Sequence, residues 1–213
     1  MPRAMGEVDH RKTIALLDAA EAVICHEGAP ASLGHIARAA GVSKQTLYNR
    51  FGGRAGFFAA LAAHQATRCP PPVIEQQLRR TTSEAVQTYV SELLAYLDRP
   101  LHRELLAPRS VETRTSGAIW RRDVLGRARN DLAGWFDQQT RAGRLHIADP
   151  EAMAALLIQL CVAQTIAPVC ARGALKPSAA AKRALVLQVI GAVLCEAADR
   201  PTPRRRVLCT PSL

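Results

Sequence analysis

The chain has 213 residues, 48% of them hydrophobic and 22% charged, which suits one moderate globular domain or two small ones and excludes a disordered chain. Its 28 Lys and Arg against 18 Asp and Glu leave a net charge of +10; such a balance favours a polyanionic partner, although solvated arginines alone can produce it. The six cysteines are scattered with no C-x-x-C pair and no histidine at ligand spacing, so no metal or other cofactor is expected.

In chain order, residues 1–9 read as a loose arm without an apolar signal core, and the protein is expected in the cytoplasm with its thiols reduced. A first helix is expected over 9–27, with Ile14, Leu17, Ala20 and Ile24 as its buried stripe and Gly28 as its terminator. Arg11 and Lys12 then fall in its first turn, either as phosphate contacts or as solvated charges.

The stretch Ser32 to Phe51, SLGHIARAAGVSKQTLYNRF, follows. Leu33, Ile36, Ala37 and Ala40 recur at helical spacing until Gly41-Val42-Ser43 interrupts after about two turns. Ser43 is a good N-cap for a second short helix, in which Leu47 and Phe51 share one face while Lys44, Gln45, Thr46, Tyr48, Asn49 and Arg50 cover the remainder. Two short helices around a glycine turn, the second rich in donors and acceptors, are how a helix-turn-helix places a recognition helix in the major groove. Gly52-Gly53 makes another turn, and Arg54 opens a helix to Arg68 with Phe57, Phe58 and Leu61 inward. A cation at a helix N-terminus is a ready phosphate site. Cys69 and three prolines then mark a domain boundary.

The run from His10 to His64 resembles the N-terminal DNA-binding domain of the TetR family of bacterial transcriptional regulators, above all in IARAAGVSKQTLYNRF followed by a glycine and a basic residue. Ile36, Ala37, Ala40, Gly41, Val42, Ser43, Leu47, Tyr48 and Phe51 stand where that family's pattern places them. The chain departs at Asn49-Arg50, where the family commonly has a second aromatic or a histidine, and at Ala29-Pro30-Ala31, which lacks the usual aromatic. The resemblance implies an all-α, TetR-like fold of about nine helices, with a helix-turn-helix domain over 1–68 and a ligand-binding and dimerisation domain over 69–200. Residues 201–213 are expected to be a disordered tail. The expected DNA contacts are Ser43, Lys44, Gln45, Thr46, Tyr48, Asn49, Arg50 and Arg54, with Lys44 and Arg54 on phosphates and Gln45 and Thr46 facing bases.

Beyond residue 72 the pattern is again helical, with helices expected over 73–98, 101–107, 117–142, 150–171 and 178–198 and no strand alternation. Residues 152–171 carry no charge over the length of a membrane span, but Gln159, Gln164, Thr165 and Pro168 interrupt them, and a buried helix fits better. Two apolar helices near the C-terminus suggest a subunit interface through Leu157, Leu160, Val186, Ile190 and Val193. In the resembled family the last two helices of each chain form a four-helix dimer seam. Tyr89, Tyr96, Trp120, Trp135, Phe136 and Gln164 are candidates for an effector pocket or simple core residues.

No G-x-S-x-G, H-E-x-x-H, P-loop or dinucleotide fingerprint appears, so no enzyme is expected. His26, His35, His64, His102 and His146 read as solvated or satisfied histidines. The expected function is a homodimeric, ligand-responsive repressor that binds a palindromic double-stranded DNA operator and is released by a small molecule. The rivals are a thiol-based redox-sensing regulator and a membrane-associated helical protein.

Overall fold

The computed structural model describes residues 5–27, 32–74, 81–108, 111–170 and 178–198. Within them the secondary structure is helical: α1 (Met5–Glu27), α2 (Leu33–Ala39), α3 (Lys44–Phe51), α4 (Arg54–Arg68), α5 (Thr82–Leu97), α6 (Pro100–Leu106), α7 (Val111–Trp120), a π-wound turn (Arg121–Leu125), α8 (Gly126–Arg141), α9 (Pro150–Cys170) and α10 (Ala179–Ala198). The π turn joins α7 to α8 without a break, so the described residues form nine helical rods, as expected.

The N-terminal helices pack around Leu16, Leu17, Ala20, Ile24, Ile36, Leu47, Phe57 and Leu61, all buried. Phe57 meets the ring of Phe51 edge-on at 5.3 Å and that of Phe58 at 5.6 Å, which closes α3 onto α4. His64 Nε2 and Arg68 Nη1 reach Asp18 Oδ1 at 2.9 and 2.6 Å, tying α4 to α1. Burial pushes the Asp18 carboxyl up, but the hydrogen bonds and charges of His64 and Arg68 outweigh it and hold the group below its usual value.

One apolar core continues from these helices into the C-terminal half, because α4 lies along α7. There α5 packs on α9 and α10, and α8 on α9. Lys182 Nζ, on a side chain only 9% exposed, donates to both carboxylate oxygens of Asp98 at 2.9 and 2.8 Å, which fastens α10 to the end of α5.

Three boundaries differ from the sequence reading. Helix α1 begins at Met5, so residues 5–9 are helical and Arg11 and Lys12 lie beyond its first turn. No Gly or Pro separates Met5 from Asp9 except Gly6, and Glu7 and Asp9 suit a helix N-terminus. Helix α5 begins at Thr82 rather than 73, behind a capping box in which Thr81 Oγ1 accepts from Glu84 N at 3.3 Å and Glu84 Oε2 accepts from Thr81 N at 3.1 Å. Helix α7 begins at Val111 and runs through Gly117, which is a contact site rather than a break: a Cβ there would lie 2.4 Å from the carbonyl oxygen of Leu105. Arg121 Nη1 donates to the carbonyls of Leu105 and Leu106 at 2.6 and 3.1 Å, closing the C-terminal end of α6 against the π turn. Gly28 and residues 201–213 lie outside the described residues.

Candidate nucleic-acid interface

The α2–α3 turn is fixed locally. Ser32 Oγ accepts from His35 N at 3.1 Å to cap α2, and Ser43 Oγ accepts from Thr46 N at 3.0 Å to cap α3. Between them Gly41 takes φ 65°, a conformation that costs a residue with a Cβ, and Val42 N donates to Ala37 O at 2.9 Å. Leu47 is fully buried and Phe51 and Arg50 half-buried, so the remainder of α3 faces outward.

On that outer face Ser43, Lys44, Gln45, Thr46, Tyr48 and Asn49 are exposed. Gln45 Nε2 donates to Asn49 Oδ1 at 2.8 Å, which orders two amides side by side one helical turn apart. The Ser43 and Thr46 hydroxyls share a hydrogen bond of 2.8 Å. Tyr48, 40% exposed, lies under the Lys44 ammonium at 5.6 Å from its ring centroid. Arg50 is drawn inward, donating from Nη1 to Thr13 Oγ1 of α1 at 2.6 Å. Arg54 opens α4, half-buried over the Phe58 ring at 5.1 Å. Six of the eight expected DNA-contact residues, Ser43, Lys44, Gln45, Thr46, Tyr48 and Asn49, are thus exposed on α3 or at its cap, while Arg54 is half-buried at the start of α4 and Arg50 makes a bracing contact to α1. Thr13 carries no local signal of that contact, because it comes from residues 37 positions apart in sequence.

The expected pocket residues are distributed through the C-terminal core. Tyr89, Tyr96, Trp120, Trp135 and Phe136 are buried, and Gln164 is half-buried on α9. Trp135 and Phe136 meet edge-on at 5.5 Å. Tyr96, His102 and Trp120 form a separate aromatic group, with His102 centred 4.3 Å from Tyr96 and 4.9 Å from Trp120. Tyr96 donates from its hydroxyl to the Cys69 carbonyl at 2.9 Å, so this group abuts the end of α4. His102, read from sequence among the solvated or satisfied histidines, is 1% exposed; Nδ1 meets the Tyr96 carbonyl at 2.7 Å, while among the described residues Nε2 has no hydrogen-bond partner. Burial, the largest influence, pushes this imidazole down to about 4.

The expected interface residues need a correction. Leu157, Val186 and Ile190 are buried inside the single chain, in which α9 packs on α5 and α8 and α10 packs on α5 and α9. Leu160 is half-buried, and the Val193 side chain lies outside the described residues. Among the described side chains of these helices, the exposed large hydrophobics are Leu156 and Leu185, 40% and 48% exposed.

Among the described residues no helix is long and apolar enough to cross a membrane. Of the cysteines, Cys25 is exposed, Cys69 half-buried and Cys161 buried. Burial pushes the Cys25 thiol up, helped by Glu21, and pushes Cys161 up to about 12, so neither is poised as a thiolate. Cys209 and the side chains of Cys170 and Cys195 lie outside the described residues.

Residues 16–61 match the family described as bacterial regulatory proteins of the tetR family, and residues 99–196 match the C-terminal domain of AefR-like transcriptional repressors. None of the curated proteins matches. Among solved structures, a TetR-family regulator from Mesorhizobium loti is similar at 21% identity and a TM-score of 0.66, over 88% of this chain and 96% of that one. RolR in complex with resorcinol is similar at 20% identity and 0.60, over 93% and 98%. FadR from Bacillus subtilis in complex with stearoyl-CoA is similar at 18% identity and 0.57, over 85% and 97%.

Proposed function

The chain belongs to the TetR family of bacterial transcriptional regulators, and from that premise we propose that it is a ligand-responsive repressor, binding a palindromic operator as a homodimer and leaving it when a small molecule occupies its C-terminal helices. The observation that carries the DNA reading is the outer face of α3, where a cation, two amides, a hydroxyl pair and a tyrosine stand exposed on a helix held from behind by Leu47. Lys44 and Arg54 neutralise phosphates, Gln45 and Thr46 read base edges, and Asn49 orients Gln45. Arg50 holds the angle of α3 against α1 and supports the contacts indirectly.

Release follows from how α4 is held. Its C-terminal end is fastened by the Tyr96 hydroxyl on Cys69 O and by Arg127 Nη2 on Ala66 O at 3.1 Å, both from the C-terminal half. A ligand that moves α5 or α8 therefore moves α4, and with it the separation of two recognition helices in a dimer. The ligand complexes of RolR and FadR support an organic effector, and the match to a repressor C-terminal domain supports repression over activation.

Selection of binding sites from a random duplex pool by the full-length protein tests the reading. An enriched inverted repeat, bound about 10³-fold or more tightly than random duplex, is expected. Recovery of no common sequence contradicts it.

A further inference from the structure

Arginine is the commonest reader of guanine in the major groove, and the one arginine of α3 is not on its outer face: Arg50 is half-buried and donates to Thr13. Of the exposed side chains, Lys44 stands over the Tyr48 ring, and Thr46 Oγ1 is tied to Ser43 Oγ at 2.8 Å. The other two candidates for base edges are amides, and they are bonded to each other. Gln45 Nε2 donates to Asn49 Oδ1 at 2.8 Å across one helical turn.

That bond makes two similar side chains unlike. A primary amide has one acceptor oxygen and two N–H donors. Gln45 gives one N–H to Asn49 and keeps Oε1 and the second N–H, an acceptor beside a donor. Asn49 has Oδ1 engaged and keeps both N–H groups of Nδ2, so it presents donors. In the major groove adenine complements the first arrangement, with N6–H as donor and N7 as acceptor. Guanine offers N7 and O6 as acceptors and thymine offers O4, whereas cytosine offers only its N4 donor, so the Asn49 donors suit guanine or thymine and find no acceptor on cytosine. Successive base pairs are about 3.4 Å apart, close to the spacing of two amides in hydrogen-bond contact.

We infer that Gln45 and Asn49 form a polarised reading unit for two adjacent base pairs, Gln45 taking adenine and Asn49 taking a guanine or thymine edge. Asn49 is also a positioning residue, because it fixes which way the Gln45 amide faces. The terminal torsion of glutamine is broad and roughly two-fold, so without Asn49 the amide turns over and loses discrimination before it loses contact. The role of the pair rests on the DNA-binding reading above and adds to it the bases at one step of each half-site.

The test measures the affinity of the full-length protein for the duplex selected from a random pool and for its single-pair variants, using wild type, Gln45→Ala, Asn49→Ala and Asn49→Asp. All three substitutions fall at exposed positions, and circular dichroism checks their folding. One position of each half-site should prefer adenine by about tenfold or more in wild type, and Gln45→Ala should abolish most of that preference. The adjacent position should favour guanine or thymine over cytosine. Asn49→Asp still accepts from Gln45 Nε2 but offers bases only acceptors, so it should retain the adenine and move the neighbouring preference to cytosine. Ratios between duplexes remove the uniform loss caused by its charge. Asn49→Ala should weaken the adenine preference several-fold, which a residue contacting only its own base pair would not do. Adenine at the position that Asn49→Asp alters, with guanine or thymine at the one that Gln45→Ala relaxes, would show the opposite polarity and overturn the inference. So would a neighbouring preference unmoved by Asn49→Asp, or an adenine preference untouched by Asn49→Ala. Recovery of no inverted repeat overturns the DNA reading as well, whereas a repeat without adenine opposite Gln45 overturns this assignment alone.

Discussion

Tyr48 holds two positions at once, its ring beneath the Lys44 ammonium and 40% of its surface in water. Its hydroxyl is expected on a phosphate, so Tyr48→Phe should leave thermal stability nearly unchanged and weaken binding to every DNA sequence by about 1.5 to 3 kcal/mol, measured by anisotropy titration. Unchanged affinity would leave Tyr48 as a packing residue. His102 makes a second prediction. Its folded value of about 4 lies below the ordinary 6.5, so the unfolded chain takes up the proton first. The stabilisation is complete above about pH 6.5 and is lost as pH falls toward 4, a change of order 3 kcal/mol. Melting curves between pH 7.5 and 4 should therefore be steeper for wild type than for His102→Phe. Ser43, Leu47 and Gly41 were legible in the sequence because each acts within a few residues of itself. Arg50 and His102 were not, since their surroundings are set by α1 in one case and by α5 and α7 in the other.

Glycine punctuation served α2–α3 well and failed at α7. Gly41 ends a helix through its own backbone conformation, whereas Gly117 sits inside a helix and makes room for the Leu105 carbonyl of α6, a demand that no local pattern carries. Two substitutions separate these kinds of glycine. In Gly117→Ala the gain in helix propensity, about 1 kcal/mol, competes with a Cβ placed 2.4 Å from backbone, whose relief costs roughly 1 to 3 kcal/mol; denaturant melts should show net destabilisation. Gly134→Ala, within α8 and with nothing near its Cβ, should stabilise by about 0.5 to 1 kcal/mol. The start of α5 was readable, because Thr81-x-x-Glu84 is the capping-box signature, yet the prolines at 70–72 drew the expected start forward to 73. The π turn had no such signature; it opens at Arg121, whose guanidinium is held by two carbonyls at the end of α6.

Across the molecule, the all-helical pattern, the helix-turn-helix and the long uncharged run of α9 after Glu151 could be read from the sequence, while the side of α9 and α10 left for a partner could not. Both helices are apolar around most of their circumference, so the sequence does not distinguish Leu157 and Ile190, which complete the single-chain core, from Leu156 and Leu185, which remain outside it. We expect Leu156 and Leu185 at the dimer seam. Leu156→Glu with Leu185→Glu should sediment as a folded monomer with wild-type helicity, and a persistent dimer would remove the seam from this face. The account as a whole depends on α3 being a recognition helix whose residues divide between positioning and reading. Lys44→Ala and Gln45→Ala, titrated against the selected inverted repeat and a scrambled duplex over a range of salt, test that division most directly. Lys44→Ala should weaken both duplexes alike and lower the salt slope by about one, and Gln45→Ala should cost about 1 to 3 kcal/mol on the selected duplex and little on the scrambled one. A salt slope unchanged by Lys44→Ala, together with equal losses on both duplexes for Gln45→Ala, would contradict it.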